Sequence, residues 1–444
     1  MIKNIIKKIT PASWLSFYHK TIAHLADCYY HHPSNKMIVI GVTGTKGKTT
    51  TSNIIWHLLT QAGYKTGLAS TANFRINRQE WVNKYKMTML GRFKLQKLLN
   101  QMVQGGCQYA VVETSSEGIE QWRHWGINYD IAIFLNLSPE HIESHGSYEN
   151  YKQAKGKLFD LLSRKEKRIK QQFIKKTIIA NNDDAEVQYF LNFPAEIKVT
   201  YGLQDGPDVL AKDLQADKIG ISFSINDFHF SLKQLGLYNI YNVLPAVAVG
   251  LHLGMPLPLI SEYLASFPGM PGRMEIIDQG QPFMVVVDYA YEPKCLEAVL
   301  KTIQDLYIRP ELKNKIIAVS GQCGGGRDKW RWPVVGELLS KYCQEIILTT
   351  DDPYDDDPSL IADEMINGIT KYVETQNFAS LPKPKYQKII NRREAIKQSF
   401  ALAKPNDVVL LAGKGSDPVM AVKNGKYIPW DDRQVARELL SVDN

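Results

Sequence analysis

The segment MIVIGVTGTKGKTT, which spans residues 37–50, decides how this chain folds. Its apolar first half predicts a strand over Met37–Val42 that is buried on both faces. A helical pattern over Thr50–Ala62 follows its glycine-rich second half. A glycine-rich turn that leaves a strand and opens a helix is the structural context of a phosphate loop, so the segment predicts an α/β domain that binds a phosphorylated ligand.

The residue types of this loop support phosphate binding. Glycines let backbone N–H groups turn toward an anion, and the helix N-terminus adds a positive dipole. Lys48 can reach the β- and γ-phosphates of a nucleotide, and the Thr49 hydroxyl can ligate Mg²⁺. The common GxxxxGK[ST] spacing requires Gly at position 42, where the chain has Val42, but the shorter GTxGKT form fits. The alternative, a glycine turn without a ligand, is disfavoured because Lys and Thr directly follow the second Gly.

Length and composition limit the class of protein. The 444 residues suit two or three domains, and 44% hydrophobic with 22% charged residues is ordinary for a globular protein. The net charge of +7 permits an anionic substrate and gives no indication of nucleic acid binding. Five scattered cysteines without a CxxC pair favour neither disulfides nor zinc, so we expect a cytoplasmic protein, and we expect a monomer.

The sequence predicts no stable membrane insertion. No apolar run reaches the roughly 18–20 residues of a membrane span, and the N-terminus lacks the features of a signal peptide. Residues 2–25 mix Ile, Trp, Leu, Phe and Tyr with basic residues. This pattern fits an amphipathic helix on a membrane surface or a helix packed on the body of the protein, and we favour the second.

Short β-branched runs alternate with amphipathic segments, which predicts an α/β fold with a mostly parallel sheet. An alternating pattern on both sides of Asn226-Asp227 predicts an antiparallel hairpin. Gly, Pro and Met cluster at Phe267–Arg273 as in a linker, so we predict an N-terminal helical segment (1–36), a central domain (37–268) and a C-terminal domain (269–444). The other predicted core strands are Tyr109–Glu113, Ile131–Asn136, Thr177–Ala180, Met284–Asp288, Lys315–Ser320, Glu345–Thr349 and Asp407–Ala412.

Polar segments follow the predicted strands, where α/β enzymes place their ligands. They are Glu113–Ser116, Asn136–Gly146 with two histidines, and Tyr151–Lys155. Taken alone, each has a plainer explanation, such as a solvated Glu113 or a loop histidine at His145.

Together these motifs resemble the Mur ligases, the ATP-dependent amide ligases of peptidoglycan precursor synthesis, and most of all the MurE type. The similarity runs from about Met37 to Arg433. It implies a P-loop central ATPase domain, a Rossmann-like C-terminal domain, and ATP with Mg²⁺. The implied substrates are a UDP-N-acetylmuramoyl-peptide and a free amino acid, which are joined through an acyl phosphate.

The resemblance assigns metal and catalytic roles. Thr49 and Glu113 would hold one Mg²⁺, His141 would hold a second, and Lys155 matches the carbamylated lysine of the family. Carbamylation would turn an ammonium that two cations repel into a carboxylate-like ligand. The implied catalytic residues are Lys48, Glu113, His141 and Lys155, and the implied metal ligands are Thr49, Glu113, His141 and Lys155.

Other segments resemble the nucleotide and substrate sites of the family. Arg273 and Asp288 come from the second domain, so domain closure would complete the ATP site. Arg327 would bind the α-carboxylate of the incoming amino acid. The residues assigned to ATP are Gly44, Thr45, Lys46, Gly47, Lys48, Thr49, Thr50, Asn239, Asn242, Arg273 and Asp288. Those assigned to the other substrates are Thr88, Ser115, Gln121, Arg123, Arg327, Asp351, Asp352, Gly413 and Asp417.

Departures from the family pattern concern the amino-acid pocket most. Tyr354 stands where the diaminopimelate-adding enzymes have an Arg for the distal carboxylate. Asp351, Asp352 and Asp417, with Asp355–Asp357 nearby, make the pocket acidic and favour lysine or another diamino acid. The alternative is that these aspartates cap a loop and face water. Further departures are Lys46 for Asn, Glu117, Tyr291 and Ser416 for His, and Thr88-Met89-Leu90 for Thr-Thr-Pro.

Only about 36 residues precede the first predicted core strand, whereas MurE-type ligases carry an N-terminal uridine-nucleotide-binding domain of roughly a hundred residues. We therefore expect a two-domain ligase with a short N-terminal segment in its place. Two other functions stay open: a folylpolyglutamate synthase-like ligase, and a degenerate, non-catalytic Mur-like binding protein. Ser115, Gln121 and Arg123 disfavour the first, and the complete metal and phosphate set disfavours the second.

Overall fold

The computed structural model describes residues 12–139, 145–326, 328–375 and 383–442. They form two compact units. The first contains the described residues up to Leu214 together with Ser222–Leu232 and Asn239–Phe267. The second contains Gln215–Ile221, Lys233–Tyr238 and the described residues from Pro268 onward.

The first unit is built on a nine-stranded sheet with the order β11-β10-β9-β6-β1-β5-β2-β3-β4. The strands from β11 to β2 pair in parallel, and β3 and β4 extend the sheet in antiparallel fashion. A separate three-stranded sheet, β12-β13-β14, contains the predicted hairpin, whose turn residues Asn226 and Asp227 both have positive φ. The strands are β1 Ile38–Thr43, β2 Thr66–Ala69, β3 Asn73–Ile76, β4 Gln79–Val82, β5 Tyr109–Glu113, β6 Ile131–Phe134, β7 Arg168–Ile169, β8 Gln172–Phe173, β9 Thr177–Asn181, β10 Ile197–Gly202, β11 Val209–Leu210, β12 Lys212–Ala216, β13 Ile221–Ile225 and β14 Phe228–Leu232.

Helices pack on both faces of this sheet, because its central strands are apolar on both faces and those side chains must be shielded from water. The helix after β1 begins at Lys48, directly after Gly47, whose φ of 80° ends the loop in the left-handed region. The helices are α1 Ala12–Tyr29, α2 Lys48–Gln61, α3 Arg92–Gln104, α4 Ser116–Glu120, α5 Tyr148–Ser163, α6 Val187–Leu191, α7 Ile240–His252 and α8 Leu257–Ala265.

The second unit has a six-stranded sheet with the order β15-β16-β20-β17-β18-β19, parallel except for β15. Apolar clusters fill both faces of this sheet. The strands are β15 Glu275–Ile277, β16 Met284–Asp288, β17 Ile316–Ser320, β18 Glu345–Leu348, β19 Lys385–Lys388, β20 Val408–Ala412, β21 Val419–Val422 and β22 Lys426–Pro429. The helices are α9 Pro293–Tyr307, α10 Arg331–Tyr342, α11 Pro358–Thr375, α12 Arg392–Leu402 and α13 Asp432–Val442.

The predicted α/β architecture is confirmed. All eight predicted core strands are present, and their ends differ from the prediction by no more than two residues. No helix in the described part of the chain is long and apolar enough to span a membrane.

Two glycines allow α10 and α11 to pack with their backbones in contact. A Cβ at Gly336 would lie 1.9 Å from the Met365 carbonyl oxygen, and one at Gly368 would lie 1.9 Å from the Pro333 carbonyl oxygen. Backbone cannot move aside as a flexible side chain can, so a larger residue must push the helices apart.

Gly368→Ala is therefore expected to lower the free energy of unfolding by about 3 kcal/mol, as an overpacked core does. Thermal unfolding of the full chain measures this loss. The neighbouring change Asn367→Ala, at an exposed position of the same helix, is the control and should alter stability by less than about 0.5 kcal/mol. Equal melting temperatures for the two variants would contradict the close contact.

Candidate active site

The phosphate loop lies at the carboxyl end of β1, between the carboxyl ends of β5 and β6. Thr51 is the first residue of α2 whose amide bonds back within the turn, to the Gly47 carbonyl oxygen at 2.9 Å. The amides of Thr49 and Thr50 therefore lie in the first turn of the helix, where an anion is favoured. The Lys48 ammonium donates to the carbonyl oxygens of Gly44 and Thr45 at 2.9 and 2.8 Å, so it lies over the loop.

Asparagines from two other elements hold this loop in place. Asn136, after β6, accepts from the amides of Thr45 and Lys46 at 3.1 and 2.8 Å. Asn242, in the first turn of α7, approaches Gly47 so closely that a Cβ there would lie 2.2 Å from its Oδ1. Its side-chain amide also donates to Asn239 Oδ1 at 2.7 Å. The structure thus brings Asn239 and Asn242 to the phosphate loop, within the first unit.

Glu113, the last residue of β5, is buried beside the loop with only 2% of its surface exposed. The Thr49 hydroxyl lies 3.1 and 3.0 Å from its two carboxylate oxygens. Thr71 donates to the same carboxylate from its amide at 2.7 Å and from its hydroxyl at 2.9 Å. The side chains around the carboxylate therefore present oxygen atoms, the donor type that Mg²⁺ requires.

Lys155, on α5, is buried with 1% of its surface exposed, and it also reaches the loop. Its Nζ donates to the Gly44 carbonyl oxygen at 2.8 Å and lies 4.4 Å from the centre of the Tyr151 ring. Burial lowers the pKa of this amine well below its usual value, and the nearby Lys48 lowers it further. A lowered pKa raises the fraction of neutral amine, the form in which a lysine acts as a nucleophile.

Of the residues assigned to the peptide substrate, Thr88 lies next to the Glu113 carboxylate, through Thr71. The Thr88 hydroxyl oxygen lies 3.0 Å from the Thr71 hydroxyl oxygen. Arg123 donates to the Met89 carbonyl oxygen and, at 2.6 Å, to the Gln121 side chain. Burial lowers the pKa of Arg123. Ser115 caps α4 by accepting from the Gly118 amide at 3.2 Å. Thr88 is therefore connected to the metal-site candidates, and Arg123 is connected to Met89, the residue that follows Thr88.

In the second unit, the candidate residues follow the carboxyl ends of the parallel strands. Asp288, at the end of β16, accepts from the amides of Met274 and Ala290 at 2.6 and 2.7 Å. Burial raises its pKa, against the opposing influence of Arg273. The Arg273 guanidinium lies 4.3 Å from the centre of the Tyr289 ring. That these two residues contact ATP stays a prediction.

The acidic cluster of this unit surrounds one buried ammonium. Lys414 lies 2.9 Å from Asp352, 2.9 Å from Asp417 and 3.8 Å from Asp351. Burial alone would lower the pKa of Lys414, but the three carboxylates raise it. Gly413, with φ of 112°, brings the backbone so close that a Cβ would lie 2.4 Å from Asp351 Oδ2. Asp351 Oδ2 has no hydrogen-bond partner among the described residues.

The structure divides the aspartates into a buried group and a loop group. Asp351 and Asp352 are buried and do not face water. Asp355, Asp356 and Asp357 instead accept from the amides of Asn424, Gly325 and Ser359, at 2.7–2.8 Å, and organise their loops. The acidic field of the pocket is therefore smaller than the sequence predicts. His141 and Arg327 lie outside the described residues.

Sequence reasoning assigned no role to two residues of these sites. Thr71 follows β2, which has only four residues and contains a glycine, so the sequence did not predict this strand. The loop after it was therefore not identified as part of a site. Lys414 belongs to a segment that resembles the family pattern, but two of its three partners, Asp351 and Asp352, lie more than 60 positions earlier in the chain. Only the fold could indicate that this lysine neutralises the aspartates.

The sequence has clear relatives. Family profiles described as "Mur ligase middle domain" and "Mur ligase, glutamate ligase domain" match residues 42–250 and 272–415. A UDP-N-acetylmuramoyl-L-alanyl-D-glutamate–2,6-diaminopimelate ligase of Bacillus cereus is 34% identical over 427 residues, which are 95% of this chain and 82% of the relative. This chain belongs to the Mur ligase family. The prediction of an ATP-dependent ligase that forms amide bonds is thereby confirmed.

Solved structures agree with this assignment. A diaminopimelate ligase of the same type superposes with a TM-score of 0.61 at 30% identity, covering 92% of this Mur ligase and 79% of that chain. The folylpolyglutamate synthase of Mycobacterium tuberculosis gives a TM-score of 0.67 at 15% identity, covering 89% and 92%. The second likeness concerns the fold alone.

Proposed function

We propose that this Mur ligase joins an amino acid to a UDP-N-acetylmuramoyl-peptide with ATP, through an acyl phosphate. The observation that carries the proposal is the arrangement of Thr49, Glu113 and Lys155 around the phosphate loop. Thr49 lies on α2, Glu113 at the end of β5 and Lys155 on α5, and all three reach the same edge of the sheet. The neighbouring Arg123 and Thr88 offer donors to an anionic substrate.

The proposed reaction has two steps. The peptide carboxylate attacks the γ-phosphorus of ATP, and ADP leaves. The amine of the amino acid then attacks the acyl carbon, loses a proton and expels phosphate. The Lys48 ammonium and the N-terminal end of α2 would stabilise the phosphates. Mg²⁺, held by Thr49 and Glu113, would offset the negative charge of the two reactants.

We further propose that the added amino acid has a cationic side chain, as lysine and other diamino acids do. The carboxylates of Asp351, Asp352 and Asp417 lie around Lys414, and a carboxylate-rich lining favours a cationic ligand. Asp351 Oδ2 is buried and lacks a partner among the described residues, so a substrate ammonium could pair with it. Tyr354 also removes the cation that would attract a second carboxylate.

The decisive experiment measures phosphate release from ATP with Mg²⁺ and UDP-N-acetylmuramoyl-dipeptide, against a panel of amino acids. We expect release with diamino acids, and KM for the preferred one should fall as pH rises from about 6 to about 8. Burial raises the pKa of Asp351 to about 7, with Lys414 opposing, so more of this carboxyl is ionised at the higher pH. Asp351→Asn should raise that KM about tenfold.

Asp357→Asn is the matched control, because this aspartate accepts from the Ser359 amide and organises the start of α11. Its KM values should equal those of the wild type. Release with neutral amino acids alone would refute the cationic side chain but leave the ligase intact. Release only with a folate acceptor, or none with any acceptor, would refute the proposed function.

A further inference from the structure

An aromatic stripe runs along the outer face of α1. Five large apolar side chains there expose more than half of their surface: Trp14 70%, Phe17 72%, Tyr18 56%, Leu25 52% and Tyr29 69%. At 100° per residue their positions fall within about 120° of the helix circumference, so they form one continuous face. An exposed apolar patch of this kind marks an interaction surface.

The opposite face of α1 already has its partners. Ala23 and Ala26 are buried, and α1 packs on α3. Ser16 accepts from the Trp122 indole N–H at 2.8 Å, and Lys20 lies 4.2 Å from the centre of the Trp125 ring. The helix is thus fixed in orientation, and the aromatic stripe does not serve to hold it on the unit.

Charge indicates what the stripe contacts. The first acidic residue of the chain is Asp27, so residues 1–26 carry no negative side chain. Phe93, 42% exposed, packs against Tyr29, and the exposed Lys94 and Lys97 follow it on α3. A partner for this surface must therefore accept apolar aromatic side chains and carry negative charge at its border.

We propose that the aromatic stripe binds peripherally to an anionic lipid bilayer. Trp, Tyr and Phe favour the boundary between headgroups and acyl chains, and lysines beside them favour anionic headgroups. α1 would lie along the surface with the stripe in the interface. The chain would then be held at a membrane without a helix that spans it, while both ligase units stay in water.

Co-sedimentation of the full chain with vesicles tests this proposal. We expect binding to phosphatidylcholine vesicles that contain about one third phosphatidylglycerol, and at least tenfold weaker binding to pure phosphatidylcholine. Raising the salt concentration to about 0.5 M should weaken binding, because it screens the lysines. The double variant Trp14→Ser with Phe17→Ser should bind at least tenfold more weakly, since each loses the transfer free energy of a large aromatic side chain.

The matched control is Leu360→Ser with Ile219→Ser, which removes two exposed apolar side chains, 62% and 76% exposed, from other surfaces. This control should bind as the wild type does, and both double variants should keep wild-type phosphate release. Equal vesicle binding by the wild type and the stripe variant would overturn the proposal, as would absence of binding to anionic vesicles. A dimer in sedimentation that the stripe variant abolishes would also overturn it, because a second copy would then cover the stripe.

Discussion

Replacing Glu113 with Gln is expected to slow phosphate release about a thousandfold, because the carboxylate proposed to bind Mg²⁺ becomes a neutral amide. Gln has nearly the same size, so its amide oxygen can still accept from Thr71. Among the described residues, the groups that hydrogen-bond to Glu113 are the hydroxyls of Thr49 and Thr71 and one amide, all of them neutral. Loss of the charge therefore unpairs no cation in the described part of the chain, and the melting temperature should change little.

A magnesium titration distinguishes a metal role from a general disturbance of the site. Glu113→Gln should require a higher Mg²⁺ concentration for half-maximal rate, while ATP binding without metal stays near the wild-type value. Glu196→Gln is the matched control, because the Glu196 carboxylate also accepts a hydrogen bond from a backbone amide, that of Lys176 at 2.6 Å. This contact lies just before β9, away from the phosphate loop. A Glu113→Gln enzyme within about threefold of the wild-type rate at ordinary Mg²⁺ would exclude this carboxylate as a ligand.

The sequence predicted the first unit well because its signals are local. An apolar run before a glycine-rich turn marks a buried strand in any context, so β1, the loop and α2 were found to within two residues. Glu113 and Lys155 were identified only through the resemblance, since neither a strand-end glutamate nor a helical lysine is informative alone. The fold then places both at the phosphate loop.

What the sequence could not predict depends on pairing between distant segments. Thr71 contacts Glu113 only because β2 lies next to β5 in the sheet. The acidity of the second unit was overestimated for the same reason: Lys414 reaches Asp352, 62 positions earlier, across the ends of two strands. Counting charges along a chain cannot reveal such neutralisation, since the charge of a pocket depends on its buried pairs.

The state of Lys155 leads to a second large effect. Lys155→Met keeps the volume of this buried side chain but removes the amine, and we expect it to reduce turnover by about a thousandfold or more. The wild-type enzyme should lose activity when CO₂ is removed from the buffer and regain it when bicarbonate is added. The reason is that burial and Lys48 lower the pKa of the amine, which raises the fraction of neutral amine, and only a neutral amine can form a carbamate.

Three measurements separate a carbamate from a merely structural lysine. Carbon-13 bicarbonate should give a carbamate resonance in the wild type that is absent from Lys155→Met, and bicarbonate should not restore the variant. Lys157→Met, two residues further on the same helix at an exposed position, should keep full activity and the carbamate resonance.

The lowered pKa of Lys155 also determines how the stability of the protein depends on pH. Because the unfolded chain binds the proton more tightly, the unmodified amine lowers stability most when the pH is below its folded pKa, and the penalty disappears as pH rises toward 10.5. Lys155→Met should therefore show a weaker rise of stability between neutral and alkaline pH than CO₂-free wild type, and an active Lys155→Met enzyme would remove this lysine from the reaction.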